Sequence, residues 1–389
     1  MQNLLNEAKQ IEADIIADRR IIHQNPEIGM DLPMTTAHIM KRLREMGYEP
    51  QEICQSGVVA TVGKPGKTFL LRGDTDALPM KELTDLPFKS ENGWAHSCGH
   101  DTHAAMLLGA AKLLKEHEDE LEGTVKLMFQ PAEEILAGAK AMVEAGLLEN
   151  PKVDAALGIH ISSVVKKGVA SYCDKYVNAS ADKFVINIKG KGGHGASPES
   201  AIDPINAACH VHLALQALNS REVSGRDLAV ITIGHFESGD KENIIPEFAM
   251  MEGTIRCYDS GVRAFLKERL VQVATTVAAA FRCECTVDYP FGVAPNENNV
   301  QLQNECIGYV QNLIGAENVI CEEGSMGSED FSYVSSNVPA LFITLGARVA
   351  DDSKVFAAHS PNVLFDEDAF HVGSAIYTHV AMEWLKNNK

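Results

Sequence analysis

The chain has 389 residues, 45% hydrophobic and 22% charged, an ordinary globular composition too long for one simple core, which predicts two domains. Its 53 Asp and Glu outnumber 34 Lys and Arg for a formal net charge of −19, which repels phosphate backbones and anionic lipid and excludes nucleic acid and membrane as expected partners. Nine scattered Cys argue against a disulfide framework, and an acidic amphipathic start without an apolar core or cleavage site predicts a cytoplasmic protein with no signal peptide.

Helical apolar spacing runs over 1–24 (Ile11, Ile15, Ile16) and 34–47 (Ile39, Leu43, Met46), with Pro26 and Pro33 breaking the stretch between. Strands are predicted at 58–62 and 69–71 around a Gly63-Lys64-Pro65-Gly66 turn. The Ala- and Leu-rich stretch 104–117 predicts a helix, followed by a strand at 124–129, a short helix at 137–146 and a strand at 153–159. Such alternation predicts an α/β sheet domain. The order then changes to a strand at 184–189, a helix at 203–219, strands at 229–235 and 248–257, a helix at 261–281 and a strand at 285–289. That is the β-α-β-β-α-β order of a ferredoxin-like unit. A helix at 300–314, strands at 318–321 and 340–345 and a helix at 367–386 return to the first domain. The expected fold class is therefore α/β with two domains: a mixed α/β sheet catalytic domain at 1–177 and 293–389, and an inserted ferredoxin-like α+β domain at 178–292.

Potential metal ligands collect at predicted strand ends and loops. They are His96-Ser97-Cys98-Gly99-His100-Asp101-Thr102-His103, just ahead of the Ala- and Leu-rich helix; Glu133-Glu134, after a strand and a Gln-Pro turn; His160, at the end of the next strand; and His359 in Ala358-His359-Ser360-Pro361. Sites in open α/β sheets form at the carboxyl ends of strands. Thiolate, imidazole and carboxylate together suit first-row divalent cations. Gly99 lets Cys98 and His100 converge on one site. Of two adjacent carboxylates, one can hold a cation while the other takes a proton from water. Each motif alone has an ordinary reading. A lone His at a strand end is usually a hydrogen-bonded structural residue, a Glu-Glu pair is usually a wet surface, and His96 and His103 read as bystanders. Asp101 reads as a helix cap or as a residue that orients a ligand.

Taken together, the motifs carry a resemblance. Leu71-Arg72-Gly73-Asp74-Thr75-Asp76-Ala77-Leu78-Pro79, Cys98-Gly99-His100-Asp101-Thr102-His103, Gln130-Pro131-Ala132-Glu133-Glu134 and Gly158-Ile159-His160 occur in that order. Gly192-Gly193-His194-Gly195-Ala196-Ser197-Pro198, Gly253-Thr254-Ile255-Arg256 and Gly327-Ser328-Glu329-Asp330-Phe331 follow. The set resembles the aminoacylase and carboxypeptidase metallohydrolases, in the branch with hippurate hydrolase and indole-acetyl-amino-acid hydrolase. The likeness runs from about His23 to the C-terminal helix. It implies that the inserted domain is a lid and dimerisation domain, with a homodimer as the working form. It implies Cys98, His100, Glu134, His160 and His359 as ligands of two divalent cations (Zn, Mn, Co or Ni), with Cys98 bridging. It implies Glu133 as general base, His194 as oxyanion stabiliser, Arg256 as a clamp for the substrate carboxylate and Asn243 as a polar substrate contact. The implied reaction is hydrolysis of the amide bond of an N-acyl-L-amino acid, or a short dipeptide-like amide, by a metal-activated water.

Glu199 stands where many relatives carry a His, and Asp74-Thr75-Asp76 occupies the region of a His-x-Asp ligand motif in other branches. Asp74 and Asp76 are accordingly not assigned as ligands, and Asp76 is left as a residue that can orient one. Two other classes compete with this reading. One is a thiol amidase using Cys98 as nucleophile, which would survive a chelator; the other is a metal-stabilised binding protein, which would have little use for Glu133.

Overall fold

The computed structural model describes residues 2–389, so of the helical spacing read over 1–24 only Met1 falls outside it. In chain order, α1 (Gln2–Gln10), α2 (Glu12–Gln24) and α3 (Pro33–Glu45) precede β1 (Gln51–Cys54), β2 (Gly57–Gly63) and β3 (Thr68–Asp74). Then come α4 (His100–Glu116), β4 (Thr124–Gln130), α5 (Gly138–Glu144), β5 (Ala155–Lys166), β6 (Ala170–Cys173) and β7 (Tyr176–Asn178). The middle of the chain forms β8 (Ala181–Lys189), β9 (Gly193–His194), α6 (Pro204–Ala217), β10 (Ala229–Ser238), β11 (Ile244–Ile245), β12 (Phe248–Cys257), α7 (Ser260–Ala280), β13 (Glu284–Val293) and β14 (Asn296–Glu297). The remainder is α8 (Val300–Ile314), β15 (Val319–Glu322), α9 (Ser332–Ser335), β16 (Ala340–Arg348) and α10 (Phe370–Asn387).

Two compact units divide these elements. The first comprises Met1–Val177, Glu297–Glu323 and Asp330–Lys389; the second comprises Asn178–Asn296 together with the short return Gly324–Glu329. The first unit holds an eight-stranded mixed sheet in the order β1-β2-β4-β3-β5-β16-β6-β15. Its centre, β4-β3-β5-β16, is parallel throughout. These central strands are buried on both faces and read as continuous apolar runs, as parallel strands covered by helices do. Phe69, Leu71, Leu127, Phe129 and Ile159 pack on one face against α4 and α10. Leu70, Met128, Ala156 and Phe342 face the other way, toward α5 and α9. Leu107, Leu108, Leu113 and Leu114 of α4 are fully buried, each worth roughly 1.5–3 kcal/mol.

Several details differ from the sequence expectation, among them the starts of two helices and the length of one strand. Helix α4 begins at His100, not at 104, so part of the His-rich motif lies in its first turn. The helix can start there because Gly99 takes a left-handed conformation (φ 90°), and a Cβ at that position would lie 2.3 Å from Ile161 Cγ2. Strand β5 continues to Lys166, which places His160 inside the strand instead of at its end. Pro33 opens α3 at its first turn, where a missing N–H costs nothing.

In the second unit, β8-α6-β10-β12-α7-β13 folds into an antiparallel four-stranded sheet in the order β10-β12-β8-β13. Alternate residues Phe184, Ile186 and Ile188 of β8 join Val211, Leu215, Leu266 and Leu270 of the two helices in a separate core. Asp182 is fully buried there and is held by Arg263 at 2.7 Å and Lys267 at 2.9 Å. No helix among the described residues is long and apolar enough to cross a membrane.

Candidate active site

The carboxyl ends of β3 and β4 lie side by side, level with the middle of β5; His160 on β5 and Glu134 just beyond β4 come from these strands, while Cys98 and His100 stand at the start of α4 and His359 lies in a loop. Asp74 ends β3 opposite Gln130 of β4, while Arg72 pairs with Gly158 two residues before His160. The Glu133-Glu134 turn follows β4 between two residues with positive φ, Ala132 and Leu136. His359, itself at φ 66°, donates its N–H to Ser97 O at 2.8 Å, and this ties its loop to the segment that carries Cys98.

These segments bring all five candidate ligands together in the first unit. The donor atoms of Cys98, His100 and His160 lie within 4.8 Å of one another, and so do those of Cys98, Glu134 and His359. Cys98 is common to both triads. Its Sγ is 3.4 Å from His160 Nε2, and Glu134 Oε2 is 3.5 Å from His359 Nε2. Glu133 joins His100 and Glu134 in a third group of the same span.

Neighbouring hydrogen bonds choose which ring nitrogen each His presents. His160 Nδ1 donates to Ile161 O at 2.6 Å, leaving Nε2 toward Cys98. His100 Nδ1 faces Asp76 Oδ1 at 3.3 Å, leaving Nε2 toward Glu134 Oε1 at 3.8 Å. The Asp76 carboxylate also accepts the N–H groups of Glu133 and Glu134 at 3.0 and 3.1 Å. One buried side chain thus orients a candidate ligand ring and both carboxylate residues of the turn, the role left open for Asp76.

The electrostatics fit a cationic guest. Burial pushes the Cys98 thiol up and raises the Glu134 carboxyl, so each resists the ionised form a metal needs. Burial pushes His160 down to about 3, which leaves a neutral imidazole with a lone pair. Burial also opposes a charged His100, but Asp74, Cys98 and Asp76 outweigh it and raise its pKa. His100 Nε2 and Glu134 Oε1 are buried without hydrogen-bond partners. Cations among a thiol, three imidazoles and a carboxylate would satisfy these atoms and favour the thiolate.

The remaining predicted residues lie in the second unit. His194 is exposed on β9, paired with Ile244 of β11, and its Nδ1 accepts Ala196 N–H at 3.1 Å. Asn243 lies beside it and takes the N–H of Gly195 on its carbonyl at 2.9 Å. Arg256, on β12, points its guanidinium at Ser328 Oγ and Met326 O, at 3.2 and 3.4 Å.

Some of what braces the site was not foreseen. His103 is not a bystander: it is fully buried, donates from Nδ1 to Asp74 and accepts Ile161 N–H on Nε2 at 2.7 Å. Asp101 is no helix cap. Its carboxylate takes Arg19 Nε at 2.7 Å and His23 Nδ1 at 2.8 Å, and although burial works the other way, those cations hold it well below the usual carboxylate range. The only sequence signal for His103 was its position one helical turn beyond His100, together with Gly73 next to Asp74. A Cβ on Gly73 would lie 2.9 Å from His103 O, so glycine is what lets β3 approach α4 there.

A mixed α/β sheet with a thiol, imidazoles and carboxylates converging near its central strands has the donor set of a candidate divalent-metal centre. The chain belongs to the peptidase family M20/M25/M40, whose sequence profile matches residues 70–383, and it is an amidohydrolase of that family. It is 37% identical to thermostable carboxypeptidase 2 of Saccharolobus solfataricus, over 99% of this chain and 98% of that one. It is 40% identical to IAA-amino acid hydrolase ILR1-like 5 of Arabidopsis thaliana, over 95% of this chain and 86% of that one. Among solved structures, the Bacillus subtilis YXEP protein, a dinuclear metal binding peptidase from the M20 family, superposes with a TM-score of 0.83 at 32% identity, covering 97% of this chain and 99% of that one.

Proposed function

We propose that the protein hydrolyses the amide bond of N-acyl-L-amino acids, or of short dipeptide-like amides, in the cytoplasm. The observation that carries this reading is the pair of donor triads sharing the sulfur of Cys98, with the Glu133 carboxylate beside them. Cys98, His100, Glu134, His160 and His359 would hold two divalent cations, of which zinc, cobalt, nickel and manganese all suit the donor set. When bound, the cations supply Lewis acidity to the amide carbonyl and lower the pKa of the attacking water. Glu133 takes the proton from that water and hands it to the leaving nitrogen. His194 donates to the developing oxyanion, Arg256 pairs with the substrate carboxylate, and Asn243 adds a polar contact.

A homodimer built through the inserted unit belongs to the same reading. Strand β10 ends its sheet, with Val230 44% exposed on it and Leu228 63% exposed just before it, and Leu213 of α6 is 66% exposed. A sheet edge with exposed apolar residues is suited to cover by a second copy.

The test is Glu133→Gln assayed on a panel of N-acyl amino acids and dipeptides after loading with each metal in turn. Turnover should fall about 10²–10⁴-fold while two metal ions per chain are retained. Undiminished hydrolysis by that variant would remove Glu133 as the base, and hydrolysis that survives complete chelation would favour Cys98 as a nucleophile.

A further inference from the structure

Strand β5 carries His160, yet its ladder with β3 stops short of that residue. The last paired residues are Arg72 and Gly158. Beyond them, two side chains take over the backbone donors on successive odd-numbered residues of β5. Ile159 N–H goes to Tyr377 Oη at 3.2 Å, and Ile161 N–H goes to His103 Nε2 at 2.7 Å. The Ile161 backbone is therefore held on both sides, by His103 on its N–H and by His160 Nδ1 on its carbonyl. The two rings meet edge to face with centroids 4.6 Å apart.

An imidazole can accept at Nε2 only when the proton sits on Nδ1, and Asp74 selects that tautomer by accepting it. Asp74 is itself fixed by the fully buried Arg72, whose Nη1 lies 3.0 Å away. His103 stands on the same helix as His100, one turn on, so this contact joins a ligand-bearing helix to a ligand-bearing strand.

We propose that Asp74 and His103 form a positioning pair that replaces the missing strand partner of β5 and thereby sets the His160 ring for metal binding. The proposal rests on the assignment of His160, His100 and Cys98 as ligands. Neither Asp74 nor His103 is a catalytic residue in it.

The test titrates metal-free protein with cobalt(II) and follows both affinity and the thiolate-to-cobalt absorption band expected from Cys98. His103→Leu removes the acceptor. It should weaken at least one of the two ions by about 10–100-fold and alter the band. His103→Gln can accept from Ile161 and donate to Asp74, and should return affinity to within a few-fold of the parent. Tyr377→Phe serves as a control: it strips the preceding ladder donor of its acceptor and should lower the melting temperature more than the cobalt affinity. If His103→Leu does not fold, Asp74→Asn, which keeps the shape but weakens tautomer selection, should show the same loss in smaller measure. Wild-type affinity and band in the Leu variant, or in Asp74→Asn if that stands in for it, would overturn the proposal. So would a Gln variant as impaired as Leu. A parent protein that binds no cobalt would instead sink the ligand assignment on which the pair depends.

Discussion

Apart from His359, which is exposed, and Arg256, which is part-buried, the candidate residues of the two units are held in opposite ways. In the first unit, Cys98, His100, His160 and Glu134 are at least half-buried, and the oriented rings are steered by buried groups such as Asp76 and His103. In the second, His194 and Asn243 are exposed and are positioned by a two-residue ladder and a few hydrogen bonds to neighbouring backbone N–H groups. A metal centre needs several donors within a few tenths of an ångström, and buried hydrogen bonds supply that order. A residue that meets a substrate only during reaction gains from a chain segment that can adjust.

The sharpest way to break this contrast is to remove His194. His194→Ala should lower kcat about 10²–10³-fold without changing metal content, since it acts on the oxyanion alone. Equal loss of bound metal, measured by elemental analysis, would place it with the ligands instead. Mixing this variant with Glu133→Gln should restore part of the activity if subunits share sites, and none if each chain works alone.

Next in size is the buried side. Asp76→Ala removes the acceptor for His100 Nδ1 and for the Glu133 and Glu134 N–H groups. Metal affinity should fall about 10–100-fold, and activity should recover at high metal concentration. Arg256→Ala should mainly raise KM for substrates with a free carboxylate, by about 10-fold or more, the scale of one charged hydrogen bond. An amidated substrate should be insensitive to that change.

The smallest effect is expected far from either group. His117 sits between Glu120 and Glu7 at 2.8 Å each and is part-buried at the protein surface. Its hydrogen bond to Glu120, against partial desolvation and with help from Glu7, raises its pKa above the usual value. A raised folded-state pKa means the stabilisation is complete below the unfolded value of about 6.5 and is lost as pH rises through the folded value. His117→Gln should therefore cost about 0.5 kcal/mol at pH 5.5 and almost nothing at pH 9, by denaturant melts. A larger cost would blur the distinction between buried and exposed polar groups drawn above.

The central strands and helix α4 were readable because their burial writes long apolar runs into the sequence. Strands β1 and β6 were not, since Gln51–Cys54 lies at a sheet edge, and Ala170–Cys173 is four residues with only two buried. The start of α4 was misplaced because His100 to His103 are polar residues buried inside a helix, where periodicity expects apolar ones. His160 read as a strand terminus because its polar side chain interrupts the apolar run while the backbone stays extended.

Sequence alone determined the donor chemistry and its order along the chain: a thiol, imidazoles and paired carboxylates near predicted strands, with Gly99 between the first thiol and imidazole. Residue type carries hydrogen-bonding and ligating capacity, so this much is local. Tertiary structure alone decided which imidazole faces the candidate metal site and which one braces it. His100 and His103 share one motif and one helix. Their roles separate because both His103 nitrogens are taken, by Asp74 of β3 and Ile161 of β5, while Asp76 takes only Nδ1 of His100 and leaves Nε2 without a partner, and that meeting of distant segments is set by packing across the sheet.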